Sequence, residues 1–229
     1  MATPVERRLY INGRWTGAGE PIAVRNKYTG ELIGTIPAAT RGEVDEAIAA
    51  AAAAAPTMAE LPAHRRAAII GATAEIIARR REEFARTIAA EAGKALKFAR
   101  LEVERGLTTF TFAAEEAKRL HGETVPLDAA AAGEGYFGFY VRRPVGVVVA
   151  IAPFNFPLNL VAHKVAPALA AGNAVVLKPA SFTPLTAVLL VEALIEAGLP
   201  PGAINLVAGP GRTVGEWLVA DERVAKVTF

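Results

Sequence analysis

The sequence contains no cysteine, and this absence excludes several kinds of chemistry at once. Disulfide bonds, metal sites with cysteine ligands and catalysis by a thiol all need a residue that none of the 229 positions provides. Aromatic residues make up only 7% of the chain, and Ser181 is its one serine. Much of the 52% hydrophobic content is alanine, which favours a helix-rich protein.

Neither sign of charge is in clear excess. The chain has 25 Lys and Arg against 23 Asp and Glu, so its formal net charge is +2. Such a balance argues against a nucleic acid as a partner. The basic clusters Arg65-Arg66 and Arg79–Arg81 fit solvated helix faces better than a nucleic-acid patch.

Long hydrophobic runs are also missing from the sequence. The apolar run Ala47–Ala55 is far shorter than the ~20 residues that a membrane-spanning helix needs. Residues 1–15 are polar and lack the apolar segment of a secretory leader. We therefore expect a cytoplasmic protein with no membrane partner.

The first third of the chain changes from short strands to helices. Strand-like pieces with many turns fill Leu9–Ile36, and Asn12-Gly13 predicts a two-residue hairpin among them. Thr40 and Glu43 have the spacing of a capping box at a helix start, and we expect that helix to end at Ala55, before Pro56. Glu91 is expected on a solvated helix face. Further helices are predicted at about 62–80, 82–92 and 97–120.

Residues 122–143 interrupt this helical pattern with prolines, glycines and aromatics. The segment is predicted to be an extended arm or hairpin, and the alternative is a floppy connector. The arm is favoured because Tyr136, Phe137, Phe139 and Tyr140 are costly to leave in water.

From Val145 onward strands and helices alternate. Strands are predicted at Val145–Ala152, Ala174–Lys178, Ile204–Val207 and Val224–Phe229, with a helix between each pair. This alternation predicts an α/β protein with a doubly wound, Rossmann-like parallel sheet. We divide the chain into an amino-terminal hairpin and helical part (1–121), the arm (122–143) and a dinucleotide-binding core (144–229).

Two motifs follow neighbouring strands of this sheet. The first strand ends on Pro153-Phe-Asn-Phe-Pro157, and the second delivers Lys178-Pro-Ala-Ser181. Open α/β sheets bind their ligands at the carboxyl ends of the strands, where both motifs lie. The two motifs closely resemble those of the NAD(P)-dependent aldehyde dehydrogenase family, and the whole chain resembles the amino-terminal half of a family member.

Asn155 is the catalytic candidate. An amide held between Phe154 and Phe156 at a strand end is suited to donate a hydrogen bond to an oxyanion in a dry pocket. For an isolated asparagine, the simpler interpretation is that it satisfies loop backbone groups. The resemblance implies that Asn155 forms the side-chain half of an oxyanion hole.

NAD or NADP is the cofactor that the resemblance implies. Lys178 would donate to ribose hydroxyls or to a 2′-phosphate, although a lysine at a strand end is also consistent with simple solvation. Ser181 stands where many family members have a glutamate, so NADP is permitted; it also fits a turn before a helix. The glycine pattern at 209–215 is weak evidence alone. The predicted cofactor-binding residues are Ile151, Ala152, Pro153, Phe154, Lys178, Ser181, Gly209, Gly211, Gly215 and Phe229.

The substrate candidates rest on weaker signals. Phe156 and His163 follow Asn155 onto the next helix, and Arg105 on the preceding long helix is a candidate reader of an anion. The resemblance leans toward lactaldehyde, succinate-semialdehyde, phosphonoacetaldehyde and non-phosphorylating glyceraldehyde-3-phosphate dehydrogenases, which oxidise small and often anionic aldehydes. No metal site is expected.

The family's cysteine nucleophile and general-base glutamate are expected to lie beyond Phe229. The resemblance therefore implies an enzyme that oxidises an aldehyde to a carboxylic acid, while these 229 residues alone are expected to be inactive. It also implies a homo-oligomer in which the arm reaches a partner subunit. The alternative is a non-catalytic dinucleotide-binding or assembly module.

Overall fold

A computed structural model describes residues 4–229. Residues 1–3, which begin both the polar stretch 1–15 and the predicted amino-terminal part, lie outside the described residues. Five short strands open the chain, as predicted. They are β1 (Val5–Glu6), β2 (Leu9–Ile11), β3 (Arg14–Thr16), β4 (Pro21–Arg25) and β5 (Leu32–Pro37). Strand β5 pairs in parallel with β1 and antiparallel with β4, which gives a small separate sheet.

The predicted hairpin at Asn12-Gly13 is confirmed. Asn12 and Gly13 both have positive φ, 49° and 78°, as a tight type I′ turn requires. Asn12 also donates its backbone N–H to Oδ1 of the fully buried Asn205, at 2.9 Å. The turn is thereby anchored to the main sheet.

Four helices follow: α1 (Arg41–Glu60), α2 (Ala63–Arg79), α3 (Arg81–Ala92) and α4 (Leu96–Ala117). The capping box at the start of α1 is present, with the Thr40 hydroxyl accepting from Glu43 N and the Glu43 carboxylate accepting from Thr40 N. Helix α3 ends at Gly93, whose φ of 68° makes it a left-handed cap.

The predicted end of α1 before Pro56 is wrong, because the helix continues through Pro56 to Glu60. Pro56 lies on the exposed side of the helix, where water can satisfy the carbonyl of Ala52 that loses its partner. Met58, only 1% exposed, anchors the next turn in the core. Burial of that turn outweighs the loss of one hydrogen bond.

The segment 122–143 forms a hairpin, as predicted. Strands β6 (Glu123–Val125) and β7 (Gly138–Tyr140) pair antiparallel, and two short 3₁₀ turns connect them. The rings of Tyr136, Phe137 and Phe139 remain exposed on it.

The last part of the chain alternates between strand and helix. Its elements are β8 (Val147–Ile151), α5 (Asn159–Ala170), β9 (Ala174–Lys178), α6 (Leu185–Glu196), β10 (Ile204–Leu206), a π-helical turn (Gly211–Gly215), α7 (Glu216–Val219) and β11 (Val224–Thr228). The four strands are parallel in the order β11-β8-β9-β10, which confirms the predicted doubly wound sheet. The helix predicted between the last two strands begins at Glu216, after the π-helical turn.

The sheet is mixed, which the sequence did not predict. Hairpin β2–β3 extends it beyond β10, with β2 antiparallel to β10 and Tyr10 opposite Leu206. Right-handed crossovers place α5 and α6 on one face of the sheet and α7 on the other. Helix α1 packs on β9, β10 and α7, whereas α2, α3 and α4 cover α5 and α6 from outside.

One continuous hydrophobic core joins the amino-terminal helices to this sheet. No helix within residues 4–229 is long and apolar enough to cross a membrane. Over the same residues, no group of three or more acidic or histidine side chains is placed to hold a metal ion.

Candidate active site at the carboxyl edge of the sheet

The two sequence motifs meet at one edge of the sheet. Ile151 at the end of β8 lies in register with Lys178 at the end of β9, and Ala152 N donates to Lys178 O at 3.0 Å. Val207 N, just after β10, donates to Leu177 O at 3.0 Å. The loops that follow β8, β9 and β10 therefore leave the sheet side by side. Strand β11 returns to the far side of β8, so the strand order reverses at β8, where such sheets form a ligand crevice.

Asn155 lies in the loop Pro153–Pro157 between β8 and α5. Asn155 is exposed, as are Pro153 and Phe154, whereas Pro157 at the end of the loop is buried. The backbone carbonyl of Asn155 accepts a hydrogen bond from Lys94 Nζ at 2.9 Å. The loop thus leaves Asn155 exposed near the end of β8 and is held by Lys94 through its backbone.

Two charged residues behind this loop were missed by the sequence reasoning. The Glu102 carboxylate is fully buried and accepts from the backbone N–H groups of Leu158 at 2.9 Å and Asn159 at 3.3 Å. Lys94 forms an ion pair with Glu102 and lies 4.0 Å from the centre of the Phe156 ring. A signal was available, because Glu102 falls on the helix-spaced stripe Ala99, Val103, Gly106 and Phe110 that α4 buries.

Lys178 is 4% exposed and lies where β9 meets the crevice. Its ammonium donates to Pro179 O at 3.2 Å, and burial lowers its pKa. A Cβ at Gly215 would lie 4.0 Å from Lys178 Cε, so the lysine stem runs beside the glycine loop. A partly desolvated ammonium with donor capacity to spare suits an anionic or hydroxyl-bearing ligand.

The loop after β10 is linked to the loop after β9. Ser181 Oγ donates to Gly209 O at 2.7 Å. Gly209 has a φ of 148°, and a Cβ there would collide with Val214. The space beside Gly211 is open, so a ligand can approach its backbone. These residues fit a dinucleotide phosphate against a glycine loop.

The remaining cofactor candidates lie at the same edge. Ile151 and Ala152 end β8, and Phe229 follows β11 with 92% of its surface exposed. The structure thus brings together all ten predicted cofactor-binding residues, while their roles stay predictions.

Arg105, Phe156 and His163, the three substrate candidates, line one cleft of about 490 Å³ between α4 and α5. Asn159 lines it too, and its Oδ1 accepts from Thr109 Oγ1 at 3.3 Å. A more apolar cleft of about 350 Å³ continues along the same helices past Phe112. The first cleft begins at Phe156, next to Asn155, so a small polar molecule could reach the loop from this side.

The expectation that Glu91 is solvated is wrong. Glu91 is 0% exposed and accepts hydrogen bonds from Leu185 N at 2.7 Å, Thr186 N at 2.9 Å and the Thr186 hydroxyl. Burial raises the pKa of this carboxyl from 4.5 to about 7, against the lowering effect of those hydrogen bonds. Glu91 therefore fixes the start of α6, which follows the Ser181 loop. The physical reason for the error is periodicity, since Phe84, Ile88 and Glu91 share one buried face of α3.

The parallel strands, the reversal of strand order and the glycine loop at the carboxyl edge define a Rossmann-like α/β protein. The protein-family sequence model described as "Aldehyde dehydrogenase family" matches residues 15–229, and the chain belongs to that family.

Similar proteins agree with this assignment. The chain is 46% identical over 221 residues to the 3-sulfolactaldehyde dehydrogenase of Priestia aryabhattai, covering 96% of the chain and 46% of that enzyme. Aldehyde dehydrogenase 21 of Physcomitrella patens, solved with the reaction product succinate, superposes with a TM-score of 0.96 at 42% identity, covering 100% of this chain and 48% of that one.

A third similar protein carries a cofactor. The NADP-dependent glyceraldehyde-3-phosphate dehydrogenase of Bacillus halodurans, solved with NADP, has a TM-score of 0.95 and 38% identity, covering 98% of this chain and 48% of that one. The family and the fold expected from the sequence are confirmed, and these names fall in the expected subgroup. The chain spans about half the length of each of these three proteins.

Proposed function

We propose that these residues are the amino-terminal, cofactor-binding part of an NAD(P)-dependent aldehyde dehydrogenase that oxidises a small aldehyde to a carboxylic acid. The observation that carries the proposal is the meeting of Asn155, Lys178 and the loop 209–215 at one edge of the sheet. In this proposal residues 144–229 form the core of the cofactor domain, 1–121 its hairpin and helical part, and 122–143 an arm.

Asn155 would donate its side-chain amide to the oxygen of the aldehyde as negative charge develops there. Lys178 and Ser181 would hold the adenosine ribose, and the backbone of the glycine loop would face the pyrophosphate. NAD(P)+, when bound there, would supply the hydride acceptor. Because the chain has no cysteine, the nucleophile that the family uses would come from outside these 229 residues.

A small anionic aldehyde is the proposed substrate class. The cleft that reaches Phe156 contains one cation, Arg105, together with the polar side chains of Asn159 and His163. The similar proteins support this choice, since their names or bound product include sulfolactaldehyde, succinate and glyceraldehyde 3-phosphate.

Self-association of the complete protein through the hairpin β6–β7 is also part of the proposal. Three aromatic residues on this hairpin are at least two-thirds exposed: Tyr136 at 71%, Phe137 at 77% and Phe139 at 67%. Exposed apolar surface of this kind is typical of a protein–protein interface. Light scattering of the complete protein with and without residues 123–140 tests it.

The absence of cysteine favours a second candidate, a non-catalytic dinucleotide-binding module. One experiment separates the two. The complete gene product and the 229-residue chain are each assayed for aldehyde-dependent formation of NAD(P)H and for binding of NADP. We expect turnover from the former alone. A complete gene product that binds NADP yet oxidises no small aldehyde would support the module, and turnover by the 229 residues alone would contradict the need for a thiol.

A further inference from the structure

Lys94 occupies a position between three elements of the site. It follows the left-handed cap Gly93 at the end of α3, so the chain turns sharply there and sends the lysine side chain toward the Pro153–Pro157 loop. Its ammonium contacts the Glu102 carboxylate, donates to Asn155 O at 2.9 Å and lies 4.0 Å from the centre of the Phe156 ring. The same cation therefore touches both Asn155 and its neighbour.

Glu102 fixes the other end of the same loop. One of its oxygens accepts from Leu158 N and Asn159 N, the residues that begin α5, and its other oxygen pairs with Lys94. The carboxylate is fully buried and the lysine side chain is 17% exposed. Burial removes water from both charges, which costs free energy, so the pair is stable only in a geometry that keeps its mutual contact and its hydrogen bonds.

Close packing of α4 on α5 keeps Glu102 at that place. An added Cβ at Gly106 would lie 3.0 Å from Leu158 Cγ, which shows how near the two helices approach one turn beyond Glu102. Leu158 is fully buried in this contact. The pair thus connects a rigid helix contact to an otherwise exposed loop.

We propose that Lys94 and Glu102 are positioning residues that hold the Pro153–Pro157 loop so that the Asn155 amide is aimed at the reacting oxygen. The proposal rests on the function proposed above. Lys94 restrains the Asn155 backbone from one side, and Glu102 fixes the turn into α5 from the other. Neither side chain needs to touch substrate. The expected effect follows from geometry, because a displacement of about 1 Å at a catalytic group costs roughly 100-fold in rate.

The test is a double-mutant cycle in the complete gene product. Lys94→Met is expected to lower kcat about 10- to 100-fold. The dissociation constant of NADP is expected to change much less, because Lys178, Ser181 and the glycine loop, which would hold the adenosine ribose and the pyrophosphate, lie on other loops. Lys94→Arg keeps the charge and is expected to restore part of the loss. In the Asn155→Ala background, Lys94→Met is expected to cost little more, because the group it aims is already absent.

Arg100→Met provides a matched control. Arg100 on α4 forms an exposed ion pair with Glu82 on α3, so this variant removes another ion pair made by α4, away from the Pro153–Pro157 loop. We expect its kcat to stay within about twofold of the parent, as for other surface pairs. Thermal unfolding of every variant separates a loss of stability from a loss of rate. Should Lys94→Met fail to fold, Glu102→Gln takes its place in the same cycle.

Full additivity of the Lys94 and Asn155 effects would overturn the proposal, as would a Lys94→Met rate equal to that of Arg100→Met. The outcome differs if the proposed function itself is wrong, because the complete gene product would then oxidise no small aldehyde. If only the proposed role of Asn155 is wrong, Asn155→Ala would leave kcat unchanged. If Asn155→Ala lowers kcat and the effect of Lys94→Met adds to it in full, only the positioning role is contradicted.

Discussion

The hydroxyl of Ser181 donates a hydrogen bond to the backbone carbonyl of Gly209 at 2.7 Å. This contact ties the loop after β9 to the glycine loop after β10. The proton of the hydroxyl is engaged in that link, so a ligand phosphate beside Ser181 competes with Gly209 for it. Ser181 therefore connects two loops of the crevice, and we propose that it also determines which charge the crevice accepts.

Ser181→Glu in the complete protein is expected to shift preference from NADP toward NAD. A carboxylate there accepts from ribose hydroxyls and repels a 2′-phosphate, and a difference of about 1.4 kcal/mol between the two cofactors is tenfold in the ratio of kcat/KM. Steady-state kinetics with both cofactors measure this ratio.

Ser181→Ala is the control for the charge. It removes the hydrogen bond to Gly209 without adding a carboxylate, so both cofactors should bind less well while their ratio changes little. An equal shift in the Ala and Glu variants would mean that the carboxylate does not discriminate between the cofactors.

Asn155→Ala in the complete protein is expected to lower kcat about 10²- to 10³-fold, the usual cost of one oxyanion donor. Asn155 is an exposed residue, so the fold should tolerate the change. Stopped-flow measurement of hydride transfer reports the loss, and binding of NADP serves as the control for an intact site. A change of less than about threefold would remove Asn155 from the mechanism.

The buried carboxyl of Glu91 makes stability depend on pH. Its pKa is about 7 in the folded protein and 4.5 as a free group, so between these values the folded state keeps a proton that the unfolded state loses. The free energy of unfolding should therefore fall as pH rises from 4.5 to 7, by up to about 3 kcal/mol from this group alone.

Glu91→Gln does not titrate and isolates this contribution. Denaturant unfolding of both proteins between pH 4.5 and 7 gives the slope of the free energy of unfolding against pH for each. This slope does not depend on how much stability the substitution itself costs. The variant's curve is expected to be flatter than the parent's. Parallel curves would show that Glu91 does not carry a raised pKa in the folded state.

Two glycines in helix interiors should respond oppositely to alanine. At Gly71 in α2 an added Cβ meets open space, so Gly71→Ala should raise the free energy of unfolding by about 0.5–1 kcal/mol. At Gly106 the Cβ would lie 3.0 Å and 3.1 Å from Cγ and Cδ2 of Leu158, which is fully buried, so Leu158 would have to shift by a few tenths of an ångström.

Gly106→Ala should consequently lower the free energy of unfolding, because overpacking costs about 1–3 kcal/mol and exceeds the gain in helix propensity. Urea unfolding of the two variants and the parent checks both signs. Stabilisation by Gly106→Ala would show that α4 and α5 can move apart, which would also weaken the argument that Glu102 is held rigidly.

Local patterns determined the elements and the edge at which they meet. The capping box at Thr40, the turn at Asn12-Gly13 and the strand–helix alternation after Val145 act over a few residues, so the sequence alone predicts them. Because the carboxyl ends of parallel strands lie at the same edge of a sheet, the alternation also predicts that Asn155 and Lys178 lie close together.

Burial of the charged groups was decided by tertiary contacts. Glu91 and Glu102 look like surface residues by composition, yet each lies on a stripe that its helix buries, and each finds backbone N–H groups at the start of another helix. Those partners are 94 and 56 residues away along the chain. No local pattern specifies a contact at such a separation, because it depends on how α3 and α4 pack on α5 and α6.

The same reason explains the course of α1 and the addition of β2 to the main sheet. Pro56 ends a helix on local grounds, but burial of Met58 in the core offsets the lost hydrogen bond. Strand β2 pairs with β10 almost two hundred positions later, where Tyr10 lies opposite Leu206. The sequence determined which segments form strands and helices, and the folded core decided which of their faces and edges meet.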